Sequence, residues 1–248
     1  MTDPLAPLLD LPGVGDAVTA AREAVDGVHA HPANRRGWAT TAAEASVRAA
    51  RASAAIDGAD AELPTGGQVA EPSLAGALRV GEALGSLLPT WQRAPMQVLA
   101  RLHVLAAADL VDDPDWLGRP RGTAEVSERL ELLAELVTGG TSVPGPVLAA
   151  VVHGELLSLE AFGTADGVVA RAASRLTMIA TGLDPKGLCV PEVAYLRRLR
   201  RYRDTAASFA GGQPEGVSDW LLFCCETIQA GAREARSIAD ASTERAEQ

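Results

Sequence analysis

Several residue types and patterns are scarce in this chain of 248 residues, and each scarcity excludes a class of protein. Positive charge is the first, since 22 Lys and Arg residues stand against 32 Asp and Glu residues and give a net charge of −10. Lys186 is the only lysine. Nucleic-acid binding draws its affinity from a positive surface that neutralises phosphates. We therefore expect no nucleic-acid partner.

Long apolar runs and a cysteine framework are also missing. No stretch approaches the roughly 18 uninterrupted apolar residues of a membrane span, and no positive leader precedes the apolar residues of the N-terminus. The cysteines are three, Cys189, Cys224 and Cys225, of which the last two are adjacent in a predicted helix. They are interpreted as small buried hydrophobic residues in a reducing compartment. The prediction is a soluble cytoplasmic protein without a membrane partner.

The usual metal and dinucleotide patterns are absent as well. His103 has no companion at metal-ligand spacing, and the pair His29 and His31 precedes a proline, as at a helix end. No metal site is predicted. The glycines at 13–18 and 163–167 lack the spacing and the preceding strand of a dinucleotide-binding loop. An NAD-dependent oxidoreductase is therefore disfavoured.

Apolar residues do recur at helical spacing almost everywhere, and no run of alternating β-branched residues is long enough to form a sheet. The composition, 47% hydrophobic and 22% charged, is that of a globular domain. The sequence therefore predicts an all-α bundle in one compact domain, 1–248, with irregular stretches at 57–68 and 112–122 and a tail, 241–248, that frays. The predicted helices are 14–28, 38–56, 72–88, 93–110, 123–137, 144–159, 168–181, 191–210 and 215–238.

One predicted junction between helices has the composition of an anion site. The helix that ends near Phe162 is followed by a short loop with Gly163 and Gly167 and then by a second helix. The first backbone N–H groups of a helix are unpaired and carry partial positive charge, so they favour an anion. Arg171 and Arg175, one turn apart, are expected to project towards an anion held there. An ordinary helix–loop–helix corner is the alternative.

The sequence of this junction resembles the Fic (Fido) family, whose signature is HPFxDGNGRxxR. Residues 160–171 read EAFGTADGVVAR, in which Phe162, Gly167 and Arg171 match the signature. His153 lies seven residues before this motif, where family sequences often carry a histidine. The resemblance implies an all-α bundle of the Fic type, with a Fic-like region at about 38–236.

A second motif upstream strengthens the resemblance. The segment 51–58, RASAAIDG, is similar to the family's inhibitory helix motif, [ST]xxxE[GN], with Ser53, Asp57 and Gly58 in its fixed positions. In regulated members the inhibitory acid pairs with the second arginine of the signature, which here implies an ion pair between Asp57 and Arg171. The alternative is that Asp57 only begins an Asp-Gly turn and that Arg171 lies on a solvated face.

The resemblance also implies what this chain has lost, because the family transfers AMP or related groups to protein hydroxyls. Glu160 stands at the position of the family's general base, a histidine. Thr164 replaces the acidic residue that binds magnesium, and Ala165 replaces a glycine that is freer to adopt positive φ. Asp166 puts a negative charge where asparagine is usual, and Val168 replaces a phosphate-binding arginine. A slipped alignment would instead make Asp166 and Gly167 the acidic–glycine pair of the signature, with Asp166 as a magnesium ligand.

The segment 116–122, WLGRPRG, resembles the start of the family's flap, a hairpin that holds the target protein. It runs directly into a predicted helix, so we expect the hairpin to be shortened or lost. Target recognition is doubtful for that reason.

Three functional interpretations remain. The first is a diverged Fic-like protein, weak or inactive in AMP transfer, that serves as a binding or regulatory module and keeps a nucleotide or anion pocket. The second is an unconventional nucleotidyl or phosphoryl transferase that uses ATP with magnesium, Glu160 as base and Asp166 as metal ligand. The third is a helical protein-interaction module unrelated to Fic. The pocket residues of the first interpretation are Gly163, Asp166, Gly167, Arg171 and Arg175, with Ser53, Asp57 and Gly58 as its regulatory residues.

Overall fold

The computed structural model describes residues 3–66 and 68–246 of the chain. These residues form α-helices joined by loops, of which 57–71 and 108–123 are long, with 3-10 turns at Ala6–Asp10 and Pro114–Trp116 and no β-strand among them. The all-α prediction is confirmed. The helices are α1 Val14–His29, α2 Pro32–Arg36, α3 Trp38–Ile56, α4 Pro72–Trp91, α5 Pro95–Ala107, α6 Ala124–Glu135, α7 Gly145–Leu159, α8 Asp166–Ala180, α9 Pro191–Arg197, α10 Leu199–Ala210 and α11 Pro214–Ala246.

Helix α7 is the centre of the bundle because its sequence is apolar on every side. All of its residues from Pro146 to Gly154 are buried, as expected for a helix without a polar face. Val151 packs in a cluster with α1, α10 and α11, whereas Val152 packs in a second cluster with α4, α5 and α6. Helix α8 runs beside α7 and contributes to both clusters. The two clusters therefore belong to one domain.

Most predicted helices match the structure within about three residues, and proline begins several of them. Two predictions are wrong. The helix expected at 191–210 breaks at Arg198, where φ is −122° and ψ is 36°. The break lets α9 pack against α3 and α11 while α10 packs against α7 and α11.

The tail predicted to fray is helical as far as Ala246. Its alanine, arginine and glutamate residues have high helix propensity, and the hydroxyl of Thr243 donates to the Ala239 carbonyl at 3.1 Å. Residues 247 and 248 lie outside the described residues. No helix in the described part of the chain is long and apolar enough to cross a membrane.

The close packing of α7 against α10 and α11 gives a direct test of the fold. Gly154 of α7 leaves no room for a side chain, because an added Cβ would lie 2.6 Å from Phe209 Cε1 and 2.8 Å from Trp220 Nε1. We expect Gly154→Ala to lower the free energy of unfolding by about 1–3 kcal/mol, since overpacking forces these rings to move. Urea unfolding followed by circular dichroism measures this change.

Gly85 of α4 provides the matched control. No atom lies within 4 Å of a Cβ added there, so Gly85→Ala should raise the free energy of unfolding by about 0.4–1 kcal/mol through the lower entropy of the unfolded chain. A Gly154→Ala variant as stable as the wild type would contradict the packing described.

Candidate functional site

The loop between α7 and α8 has a strained backbone that holds a tight turn. Glu160 and Ala165 adopt positive φ values of 42° and 54°, and Gly163 has φ of 77°. For a residue with a Cβ this left-handed conformation costs about 1–2 kcal/mol. Ala165 was expected to resist positive φ, and it adopts it nevertheless. The loop therefore keeps a turn that a glycine would form more easily.

The N–H groups of this loop are partly occupied by a side chain of the protein itself. Asp166, the first residue of α8, folds back so that its Oδ1 accepts a hydrogen bond from the Phe162 N–H at 2.9 Å. Burial raises the pKa of Asp166, while the N–H groups of Phe162 and Gly163 act in the opposite direction. An internal carboxylate thus lies where the sequence suggested an external anion.

Arg171 is buried, with only 2% of its side chain exposed. Its Nε donates to the Ser53 hydroxyl at 2.8 Å, and its Nη2 donates to the Ser53 carbonyl at 3.1 Å and to Asp57 Oδ2 at 2.6 Å. Its Nη1 donates to the Tyr202 hydroxyl at 3.4 Å. Every nitrogen of the guanidinium therefore has a partner within the chain, and the alternative of a solvated Arg171 is wrong.

The predicted ion pair between Asp57 and Arg171 is present, and the turn proposed as its alternative is present as well. Asp57 is the residue that follows the last turn of α3, and Gly58 has φ of 92°, as expected for a glycine that ends a helix. Ser53 lies one turn earlier on α3 and is buried. The end of α3 thereby holds Arg171 through one charged and two neutral contacts.

Arg175 does not face the loop as expected. It is also buried, but it donates to the carbonyls of Cys189 and Gly187 at 2.8 and 3.0 Å and pairs with Glu192 at 3.3 Å. The two arginines are one helical turn apart, yet their long side chains reach different neighbours. Arg175 fixes the segment before α9, and the described contacts give it no role at the loop.

A buried chain of polar contacts extends from Arg171 into the core. The hydroxyl of Tyr202 lies 2.9 Å from His153 Nε2. Nδ1 of His153 has no partner among the described residues. Burial, with a smaller contribution from Arg171, lowers the pKa of His153 to about 3. His153 is therefore a neutral structural residue.

The cleft beside the loop has a volume of about 360 Å³ and an acidic lining. Asp57, Glu160 and Asp166 line it together with Gly163 and Gly167. No lysine, arginine or histidine lines it in the described part of the chain. Phosphate groups favour positive surfaces, so this cleft is unfavourable for a nucleotide in the state described. Among residues 3–66 and 68–246, no group of three potential ligands could hold a metal.

The segment that resembles the start of the family's flap is attached to the loop. Residues 117–123 contain no strand and lead directly into α6, as predicted for a lost hairpin. The N–H of Arg121 donates to the Ala161 carbonyl at 2.7 Å, and its guanidinium donates to the Leu159 carbonyl. His103 stacks on Phe162 with ring centroids 4.4 Å apart and accepts a hydrogen bond from the Gly118 N–H. These contacts fix the outer side of the loop.

Comparison with known proteins identifies the class of helical fold. The chain is similar to a Fic family protein from Desulfovibrio desulfuricans G20, with a TM-score of 0.68 and 18% identity over 91% of this chain and 74% of that one. It is similar also to Fic-1 from C. elegans, with a TM-score of 0.69 and 15% identity over 92% and 73% of the two chains. The sequence matches no protein-family model and no curated protein. The protein has the Fic fold, which confirms the resemblance proposed from its motifs.

A double-mutant cycle tests the contact between Asp57 and Arg171. We expect Asp57→Asn and Arg171→Met each to lower the free energy of unfolding, with a coupling energy of about 1 kcal/mol, because Asp57 keeps a third of its side chain in water. Asp60→Asn is the control, since Asp60 is exposed and its described contact is a hydrogen bond accepted from the Glu62 N–H, which an asparagine oxygen can also accept. If the effects of the two variants on the free energy of unfolding were additive, the pair would contribute nothing to stability, which would contradict this prediction.

The lowered pKa of His153 predicts a loss of stability on the acid side. The unfolded chain takes up a proton on this histidine near pH 6.5, whereas the folded chain does so only near pH 3. The contribution of the neutral His153 to the free energy of unfolding is therefore fully present above about pH 6.5 and is lost as the pH falls towards 3. When the pH is lowered from 8 to 5, the free energy of unfolding measured in urea should fall by about 2 kcal/mol more for the wild type than for His153→Gln. Parallel pH profiles for the two proteins would contradict this.

Proposed function

We propose that this Fic-fold protein does not transfer AMP by the route usual in the family and acts as a binding or regulatory module. The observation that carries the proposal is the state of Arg171, the residue at the second arginine position of the signature. Its guanidinium is buried and donates to Ser53, Asp57 and Tyr202, so four of its five N–H donors are already used within the protein. The anion pocket expected from the sequence is thus closed by groups of the protein itself.

The chemistry of the loop supports the same proposal. Glu160, at the position of the family's histidine, is an exposed carboxylate at the end of α7. Asp166 accepts the Phe162 N–H that an incoming phosphate would need. Together with Asp57 these residues give the cleft three carboxylates. Electrostatic repulsion of a nucleotide is the expected consequence, because no basic side chain among the described lining residues offsets them.

Opening of this pocket would require the pair between Asp57 and Arg171 to break. Loss of the carboxylate removes one negative charge from the cleft and frees one N–H of Arg171 Nη2, while the two contacts with Ser53 hold the side chain in place. We therefore interpret residues 53–58 as a latch on residues 160–171. A regulatory partner or ligand would act on the protein by releasing this latch.

Nucleotide titration tests the proposal. In the presence of magnesium, the wild-type protein should show no saturable binding at ATP concentrations up to about 1 mM, a Kd that corresponds to a binding free energy of about −4 kcal/mol. It should also transfer no radiolabel from [α-³²P]ATP to protein. Asp57→Asn should bind ATP at least about tenfold more tightly than the wild type, because the cleft becomes less negative. Asp60→Asn should behave as the wild type.

A transferase that uses Glu160 as base predicts a different result. Glu160 and Asp166 both line the cleft, as that alternative requires. Magnesium-dependent ATP binding by the wild type, with label transfer that Glu160→Ala abolishes and Glu155→Ala preserves, would support this transferase. The same result would contradict the proposed binding module.

A further inference from the structure

A second cavity lies away from the loop, between α3, α4 and the residues after α8. Its volume is about 630 Å³, within the range of sites for small molecules. The walls are mostly apolar and include Trp38 and Val47 of α3, Leu78 and Leu88 of α4 and Ile179 of α8. Trp38 is 42% exposed, which is unusual for tryptophan, the amino acid with the largest side chain. None of the residues that line the loop cleft lines this cavity.

Small residues determine where this cavity is open and where it is closed. At Gly81 the two helices are in close contact, because an added Cβ would lie 2.7 Å from Ser46 Oγ. At Gly85, one turn further along α4, no atom lies within 4 Å of an added Cβ. The facing residues on α3 include Ala42 and Ala43, whose short side chains leave the space unfilled.

One positive charge lines this apolar cavity without a carboxylate partner. Lys186, the only lysine of the chain, donates from Nζ to the Asn34 carbonyl at 2.8 Å and forms no ion pair among the described residues. An ammonium group has three donors, so two remain for a ligand. Arg175 also lines the cavity, but its Nη groups bind Gly187, Cys189 and Glu192.

The one carboxylate among the described lining residues is Glu82 on α4, which is exposed and forms no ion pair with Lys186. Among these residues Lys186 is therefore a cation that no carboxylate neutralises, and an anionic group is favoured beside it.

We propose that this cavity binds a small amphipathic molecule with an anionic head group. The apolar body would lie between α3 and α4, over Gly85, where its burial supplies the affinity. The head group would meet the Lys186 ammonium, which selects anionic over neutral ligands. The site lies towards the opposite end of α8 from the loop and is independent of the function proposed above.

Three probes with the same ten-carbon chain test the charge of the head group: decanoate, decan-1-ol and decylammonium. In isothermal titration calorimetry with the full-length protein, decanoate should bind at one site per chain. Decanol should bind about fivefold more weakly, as expected for loss of a partly exposed ion pair, and decylammonium more weakly still. Lys186→Met should abolish the preference for decanoate over decanol.

A variant that fills the cavity tests its location. Gly85→Leu should weaken the binding of decanoate and decanol by about tenfold or more, because each excluded methylene loses its transfer free energy. The fold should tolerate this change, since the added atoms enter empty space. Gly15→Leu on α1 is the matched control, because no atom lies within 4 Å of a Cβ there either, and it should bind like the wild type.

Several results would overturn the proposal. These are the absence of saturable binding by any probe, binding that Gly85→Leu leaves unchanged, and equal affinity of the wild type for decanoate and decylammonium. Sedimentation that reveals a dimer dissociated by Gly85→Leu would also overturn it, because a second copy of the chain would then occupy the cavity.

Discussion

The buried guanidinium of Arg171 constrains the structure around the loop more than any other group. Removal of an ionised side chain from water costs several kcal/mol, and the cost must be met by hydrogen bonds and an opposite charge. The partners come from two other helices, with Ser53 and Asp57 at the end of α3 and Tyr202 on α10. Because these helices are far apart in sequence, one cation fixes the positions of α3, α8 and α10 relative to each other.

The same contacts that stabilise Arg171 in the core also remove it from the solvent. A phosphate would need the guanidinium to exchange its internal partners for an external one, and Asp166 already accepts one loop N–H. The resulting cleft is rich in carboxylates where a nucleotide would need donors. We therefore regard the closed site as a consequence of how the fold satisfies the buried Arg171, and this supports the proposal that the protein does not transfer AMP by the usual route.

The sequence predicted those features that depend on periodicity and on short motifs. The apolar spacing located α3, α7 and α8, because spacing along a helix fixes which residues share a face. The ion pair between Asp57 and Arg171 was implied by the resemblance of two short motifs to the Fic family, and the structure contains it. The motif at 160–171 also predicted the fold, although only Phe162, Gly167 and Arg171 match it.

Features that depend on side-chain direction or on distant partners were not predictable in this way. Arg175 lies one turn from Arg171 but reaches the carbonyls of Gly187 and Cys189. The side chain of arginine has several rotatable bonds, so its position on a helix does not determine which neighbours its guanidinium contacts. The partner of His153 is Tyr202, 49 residues away, and no local pattern joins them. The break at Arg198 likewise depends on which helices α9 and α10 contact.

The side-chain Nε–H resonance of Arg171 provides the most direct test of the claim that this residue is held inside the protein. It can be observed by NMR in protein labelled with ¹⁵N-arginine and assigned by its loss in Arg171→Lys. The account predicts slow exchange with solvent and a chemical shift that ATP with magnesium does not change in the wild type. A saturable shift of this resonance on addition of ATP would contradict the account, because it would show that Arg171 binds the nucleotide in the state described.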